Sequence, residues 1–209
     1  MCGRFSIIND VEELEKRFNI KINRNQYKKN DNASPTQNLP VICNENPDIL
    51  SFFRWGLLPF WSKENDKMPL MINSKCETIF EKPAFRNSIK SKRCLVPASS
   101  FYEWKKEGKS KIQYEIGLKD FDLFCMAGIW DLRKNQDGSS VYSFSILTTS
   151  ANELVSEIHD RMPVILHQSD EIKWLSPDCD PRDFFQSYTS ELMKAEIYNL
   201  NIGTASQLF

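Results

Sequence analysis

Cys2 is the second residue of the chain, in Met1-Cys2-Gly3-Arg4-Phe5, and its position matters more than its type. A residue this small beside the initiator allows the methionine to be trimmed. Cys2 then carries a free α-amine and a β-thiol on one residue, and such a 1,2-aminothiol traps aldehydes. The amine, with a reference pKa of ~7.7–8.0, is partly neutral near pH 7 and condenses to a Schiff base. The thiol then closes a five-membered thiazolidine ring. A lysine side chain can form the imine but has no thiol placed to close it. The plainer alternative is a small apolar residue opening a strand, because cysteine is often buried.

Four other segments carry polar groups of chemical interest. Asn73-Ser74-Lys75-Cys76-Glu77-Thr78 ends an apolar run and so lies near a sheet edge, or else marks a strand end and a helix N-cap. Phe101-Tyr102-Glu103-Trp104 places a carboxylate among aromatics. Glu103 is solvent-facing by strand alternation, or desolvated and tuned for proton transfer near neutrality. His159-Asp160-Arg161-Met162-Pro163 holds one of two histidines, and a lone histidine at a helix end is commonly a cap or a buried hydrogen-bonder. In Arg54-Trp55-Gly56-Leu57-Leu58-Pro59-Phe60-Trp61 the aromatics read first as core, although Trp61 beside loop residues could stack on an exposed base.

The elements that must position these groups are mostly strands. Asp10-Val11-Glu12-Glu13 resembles a capping box, and Val11, Leu14 and Phe18 recur at helical spacing. Residues 21–37 are polar and Asn-rich and read as a loop. Short β-type runs follow at residues 39–43, 49–54, 70–73, 93–96, 101–105, 113–117, 123–129 and 141–148. Glu107-Gly108 and Asp137-Gly138 mark hairpin turns. Ser150-Ala151-Asn152-Glu153 reads as a second capping box, before a short helix ending near His159. A strand over 164–166 and helices from about Ser169 complete the chain. Many strands with few helices predict an α+β fold with a barrel-like or two-sheet core.

Composition sets limits. The 209 residues are most simply a single domain, 1–209, with 41% hydrophobic and 12% aromatic residues, enough to bury a core without metals or disulfides. No apolar run approaches the roughly 20 residues of a membrane span, and a charged helix follows the N-terminus too closely for a signal peptide. A cytoplasmic protein, or one reaching nucleoid or nucleus by binding, is expected. The six cysteines, Cys2, Cys43, Cys76, Cys94, Cys125 and Cys179, include no C-x-x-C pair, so neither a zinc site nor a disulfide framework is signalled. Net charge is only −1, but residues 75–111 hold ten Lys/Arg against four Asp/Glu, and residues 150–209 four against ten. A basic middle on a neutral chain suits a phosphate-binding face, although a solvated surface is the commoner cause of such a run.

Met-Cys-Gly-Arg-Phe, Asn-x-Lys-x-Glu-Thr, Phe-Tyr-Glu-Trp and His-Asp-Arg-Met-Pro, in this order, closely resemble the SRAP family, the SOS-response-associated peptidase-like proteins, from Met1 to about Leu175. The resemblance implies the family's open barrel-like core of antiparallel and mixed sheet with short peripheral helices. It also implies a sensor and shield of abasic sites in single-stranded DNA, crosslinked through the mature Cys2 as a thiazolidine, with associated lyase and self-processing activity conceivable and no cofactor. Carried over, Cys2 is the nucleophile, Asn73 holds the sugar or imine, Glu103 shuttles protons, and His159 assists these steps and reversal. Arg4, Lys75 and Arg161 match phosphate-gripping positions, with Lys82 and Arg86 added from the basic stretch. Pro35 matches a loop bordering the DNA channel, and Trp61 is a candidate wedge. A monomer is the default expectation.

Three departures stand out. The middle motif commonly reads Asn-Ala-Arg, and Lys75 offers a point charge where arginine would fork onto phosphate. Cys76 adds a second thiol nearby. The family's Val-Ser and Val-Asn near the end have no clear counterpart in residues 197–209. Two other classes remain open: a thiol peptidase using Cys2, Glu103 and His159, and a single-strand DNA-binding module with an inert Cys2.

Overall fold

A computed structural model describes residues 2–64 and 66–198. The strands, in chain order, begin with β1 (Arg4–Ile7), β2 (Asn30–Ala33), β3 (Asn38–Cys43), β4 (Asn46–Trp55) and β5 (Asn73–Lys75). They continue with β6 (Arg93–Ala98), β7 (Ser100–Glu107), β8 (Ser110–Leu118), β9 (Phe124–Lys134) and β10 (Ser140–Ser150). β11 (Arg161–Pro163), β12 (Ile165–Leu166) and β13 (Met193–Ile197) complete them. The helices are short: α1 (Val11–Phe18), α2 (Ser88–Ser91), α3 (Glu153–Ser156) and α4 (Gln168–Leu175). None among the described residues is long and apolar enough to cross a membrane.

The strands form two sheets. One is antiparallel, in the order β13-β8-β7-β1-β2. The other runs β11-β10-β4-β3-β6-β9-β12, and an additional β9–β10 pairing joins β10, β4, β3, β6 and β9 into a ring. The barrel expected to be open is therefore closed. Its closing contact is the short parallel pairing of β4 and β10 at Arg54 and Trp55, which no local signal announces. β9 is buried through eight consecutive residues, as expected of a strand covered on both faces. Gly128 allows this packing, because a Cβ there would sit 2.7 Å from Cys94 Sγ.

Other differences have local causes. Residues 21–37 contain β2, a polar strand without alternation, held by pairing with β1 at Phe5 and Ile7 and by the Tyr102 hydroxyl donating to the Asp31 carbonyl at 3.0 Å. The run over 70–73 yields strand only from Asn73, where β5 pairs in parallel with Ile146, Leu147 and Thr148 of β10. The second helix cap is Asn152, whose side chain accepts from the Val155 amide at 2.9 Å, while Ser150 is the last residue of β10. The first cap is as read, with the Asp10 amide donating to Glu13 Oε2 at 2.8 Å. β13 was not anticipated: its Met193-Lys194-Ala195-Glu196-Ile197 pairs with β8, five residues deep.

Candidate active site at the seam of the two sheets

Cys2 leads into β1 of the five-stranded sheet, and an aromatic chain clamps that strand to the barrel. Phe5 meets Trp55 edge-on at 5.2 Å, and Trp55 stacks over Phe144 at 6.3 Å. Trp55 Nε1 also donates to the Ile72 carbonyl at 3.0 Å, fixing the residue that leads into Asn73. The seam then closes with a direct bond, Asn73 Nδ2 donating to the Cys2 carbonyl at 2.9 Å. Asn73 Oδ1 is buried with no hydrogen-bond partner among the described residues, an acceptor held beside Cys2.

The Cys2 thiol is fully buried, with Sγ 3.7 Å from the Arg4 carbonyl. Burial pushes its pKa far above the ordinary thiol value, and the nearby Glu103 carboxylate pushes it further. At neutral pH this sulfur is a thiol. Glu103 is only 2% exposed, which resolves its two readings in favour of burial. Its strand explains why. Phe101 pairs with Phe5 and with Ile116, and Glu103, two residues on, shares that core-facing side of β7.

From the other side β10 and β11 bring His159 and Arg161. The Arg161 amide donates to His159 Nδ1 at 3.0 Å, which places the neutral ring's proton on Nε2. Asp160 Oδ1 lies 2.8 Å from the same nitrogen, a contact that requires a proton on Nδ1. The two contacts cannot operate together. The amide donor is held by backbone, whereas the Asp160 side chain is 85% exposed. His167, the second histidine, packs on Tyr188 at 4.5 Å.

The expected phosphate contacts divide into groups. Lys75 is exposed at the end of β5, opposite Thr148. Arg4 is half-buried, donating to Asn32 Oδ1 at 3.2 Å. Arg161 is committed elsewhere: its guanidinium forks onto Glu77 at 2.5 and 2.9 Å and also donates to the Thr148 carbonyl at 2.6 Å. In return it holds the Glu77 carboxyl below the usual range. Glu77 is the glutamate of the Asn-x-Lys-x-Glu-Thr motif, and its role as the partner of Arg161 is not visible in the motif itself. Lys82 and Arg86 are exposed in the turn before α2. Pro35 is half-buried between β2 and β3, and Cys76 is buried with its thiol pushed up to about 12. Trp61 is 47% exposed beside Phe60, whose amide is tied to Asp131 Oδ2 at 2.8 Å. Gly56 turns the chain off β4 toward this loop at φ +114°, a conformation that L side chains rarely adopt.

The basic middle of the sequence is not one face. Arg93 is 1% exposed and donates to the Cys179 carbonyl at 3.0 Å and to the Ser176 carbonyl. Lys92 pairs with Asp131 at 2.6 Å. Of the remainder, Lys82, Arg86 and Lys90 lie before and within α2, Lys105, Lys106, Lys109 and Lys111 lie on the β7–β8 hairpin, and Lys75 stands at the end of β5.

Comparison with known proteins finds relatives that match most of the chain. An abasic site processing protein of Bacillus subtilis, YoqW, is 41% identical over 191 residues, covering 90% of this chain and 85% of that protein. The chicken abasic site processing protein HMCES is 32% identical, and the match covers 81% of this chain but 58% of that longer protein. A crystal structure of a Bacteroides thetaiotaomicron protein superposes with a TM-score of 0.88 at 32% identity, covering 96% of this chain and 93% of that one. The model of the family described as SOS response associated peptidase (SRAP) matches residues 1–204, well past the Leu175 limit of the motifs. With Asn73 bonded to Cys2 across the seam, Glu103 buried beside the same thiol, and the family model covering nearly the whole of a fold of this likeness, the chain belongs to the SRAP family.

Proposed function

We propose that this protein captures abasic sites in single-stranded DNA as a covalent thiazolidine on the mature Cys2. The observation that carries the reading is the pairing of a buried N-terminal cysteine with a buried carboxylate, Glu103, and an amide, Asn73, across the seam. Its relatives named as abasic site processing proteins support the same substrate.

The chemistry starts at the amine. Removal of Met1 frees the Cys2 α-amine, whose lone pair adds to the aldehyde carbon of the ring-opened sugar. Glu103 takes a proton from nitrogen and returns one to the departing oxygen, so that water leaves and an imine remains. The Cys2 thiol adds to the imine carbon while its proton passes to the imine nitrogen, closing the ring. The net change is aldehyde plus aminothiol giving thiazolidine plus water. A thiol kept protonated suits this order, because the amine acts first and the sulfur delivers its proton at closure. Asn73 Oδ1 accepts from the amine or from a sugar hydroxyl, and His159 assists proton transfer at the sugar. Single-strand preference, a monomeric state, lyase activity at the lesion and self-processing at Met1 belong to the same reading, as does action in the compartment that holds the DNA.

The test mixes Met1-free protein with single-stranded DNA bearing one abasic site and resolves products on a denaturing gel. A heat-stable shifted band, absent with Cys2→Ser, is expected. No band from protein with a verified free Cys2 overturns the proposal. Cleavage of peptides would then favour the thiol peptidase, and salt-sensitive binding without a covalent product would favour the plain DNA-binding module.

A further inference from the structure

The β7–β8 hairpin carries a charge arrangement that its own fold does not explain. Lys106 and Lys111 are direct cross-strand partners in the antiparallel register, and both are exposed. Like charges so placed destabilise a hairpin. Lys105 and Lys109 add two more, and none of the four forms an ion pair among the described residues.

Register connects this cluster to the seam. Arg4 pairs directly with Tyr102, so the two share one sheet face. Trp104 and Lys106 follow at alternate positions on that face, with Lys111 opposite Lys106. The same strand presents Glu103 to Cys2 from its other face. A stripe of cation, aromatic, cation thus runs from Arg4 over Trp104 to the lysine pair, about 13 Å at the rise of a β-strand. A paired positive charge at the outer end and a half-buried indole midway suit a polyanion with planar groups between its charges.

We propose that the outer face of the β7–β8 hairpin is a second DNA-binding surface, on which Lys106 and Lys111 hold backbone phosphates of the strand flanking the lesion, beyond the phosphates next to it. This rests on the abasic-site reading for its substrate but assigns the hairpin a separate role. The lysines extend the grip along the strand and take no part in the bond-forming steps.

The test uses two single-stranded oligonucleotides carrying a reduced abasic sugar that lacks the aldehyde. One ends close to the lesion and the other runs well past it on both sides. Binding is measured over a salt series for wild type and for Lys106→Gln/Lys111→Gln, with thermal melting to verify folding. The double variant is expected to bind the long strand about tenfold more weakly at low salt, with a salt slope smaller by about 1.4 for two lost phosphate contacts. It should bind the short strand as wild type does. Equal affinities and slopes on the long strand overturn the proposal. An equal loss on both strands also overturns it, because the lysines would then act at the lesion itself. Separately, wild type that crosslinks no aldehyde-bearing DNA, yet shows the length-dependent difference, sinks the capture reading and leaves the hairpin assignment standing.

Discussion

Cys2 beside Glu103 and Cys125 beside Glu171 are the same two side-chain types in two buried settings. Both thiols are fully buried, and both are raised first by loss of solvent and then by the neighbouring carboxylate. A strongly acidic thiol therefore distinguishes neither. The carboxylates differ in what they serve. Glu171 on α4 is paired with Arg17 of α1 at 2.8 Å, so its charge joins two helices across the barrel flank, and burial still raises it above the ordinary carboxyl value. Glu103 stands at the seam, where Asn73 grips the Cys2 carbonyl and leaves an acceptor unused. Only Cys2 can acquire an α-amine. The comparison teaches that burial beside a carboxylate is common to both thiols, and that what sets Cys2 apart is its place in the chain and the amide that reaches it across the seam.

The largest expected separation between the two pairs is in activity. Glu103→Gln should slow crosslink formation on the order of 10²–10⁴-fold, measured as band appearance on denaturing gels, because it removes the proton carrier. Cys125→Ser should leave the rate per folded molecule unchanged. Equal slowing by both substitutions would break the comparison.

Stability should separate them in the opposite sense. Arg17→Met leaves Glu171 buried without its cation, at a cost of about 3 kcal/mol, the lower end for such a pair because Arg17 is 22% exposed. For a chain of this size that lowers Tm by roughly 6–12 °C. Adding Glu171→Gln should recover much of the loss, since the uncompensated charge goes with it. The deficit of Arg17→Met should also shrink on acidification. Glu171 has a folded pKa above its unfolded value of ~4.3, so its ionisation costs stability as pH rises through that window, and protonation at lower pH relieves the cost.

The smallest effect concerns the other glutamate–arginine pair. Glu77 is held below its ordinary value by Arg161, so its contribution is present above about pH 4.3 and is lost as pH falls through the depressed folded value. With Glu77 50% exposed, the contribution is under about 1 kcal/mol. Denaturant titrations of Glu77→Gln against wild type should differ above that pH and converge at lower values. A pH-independent difference would remove the ion pair as the cause.

Legibility followed the range of the interactions. Helix α1 could be read because its cap at Asp10 immediately precedes eight residues that carry the apolar spacing, and the β7–β8 and β9–β10 hairpins because a turn signal separates alternating runs. β2 and β5 could not, because each exists by pairing with a strand remote in sequence. The same holds for the site. Cys2 stood out by position and Glu103 by its aromatic neighbours, whereas the engagement of Arg161 by Glu77 spans 84 residues and left no local trace. The basic middle misled for a related reason, since composition does not reveal that Arg93 is interior or that Lys92 meets Asp131.

By itself the sequence determined the place of Cys2 beside the initiator, together with the strand-rich class and the motifs that mark the family. These depend on covalent order and on patterns a few residues long. Only the tertiary structure decided that the barrel closes, that Glu103 turns inward, and that Asn73 reaches the Cys2 carbonyl. Those outcomes depend on strand register and on burial between sheets, where a one-residue slip would send every side chain to the opposite face.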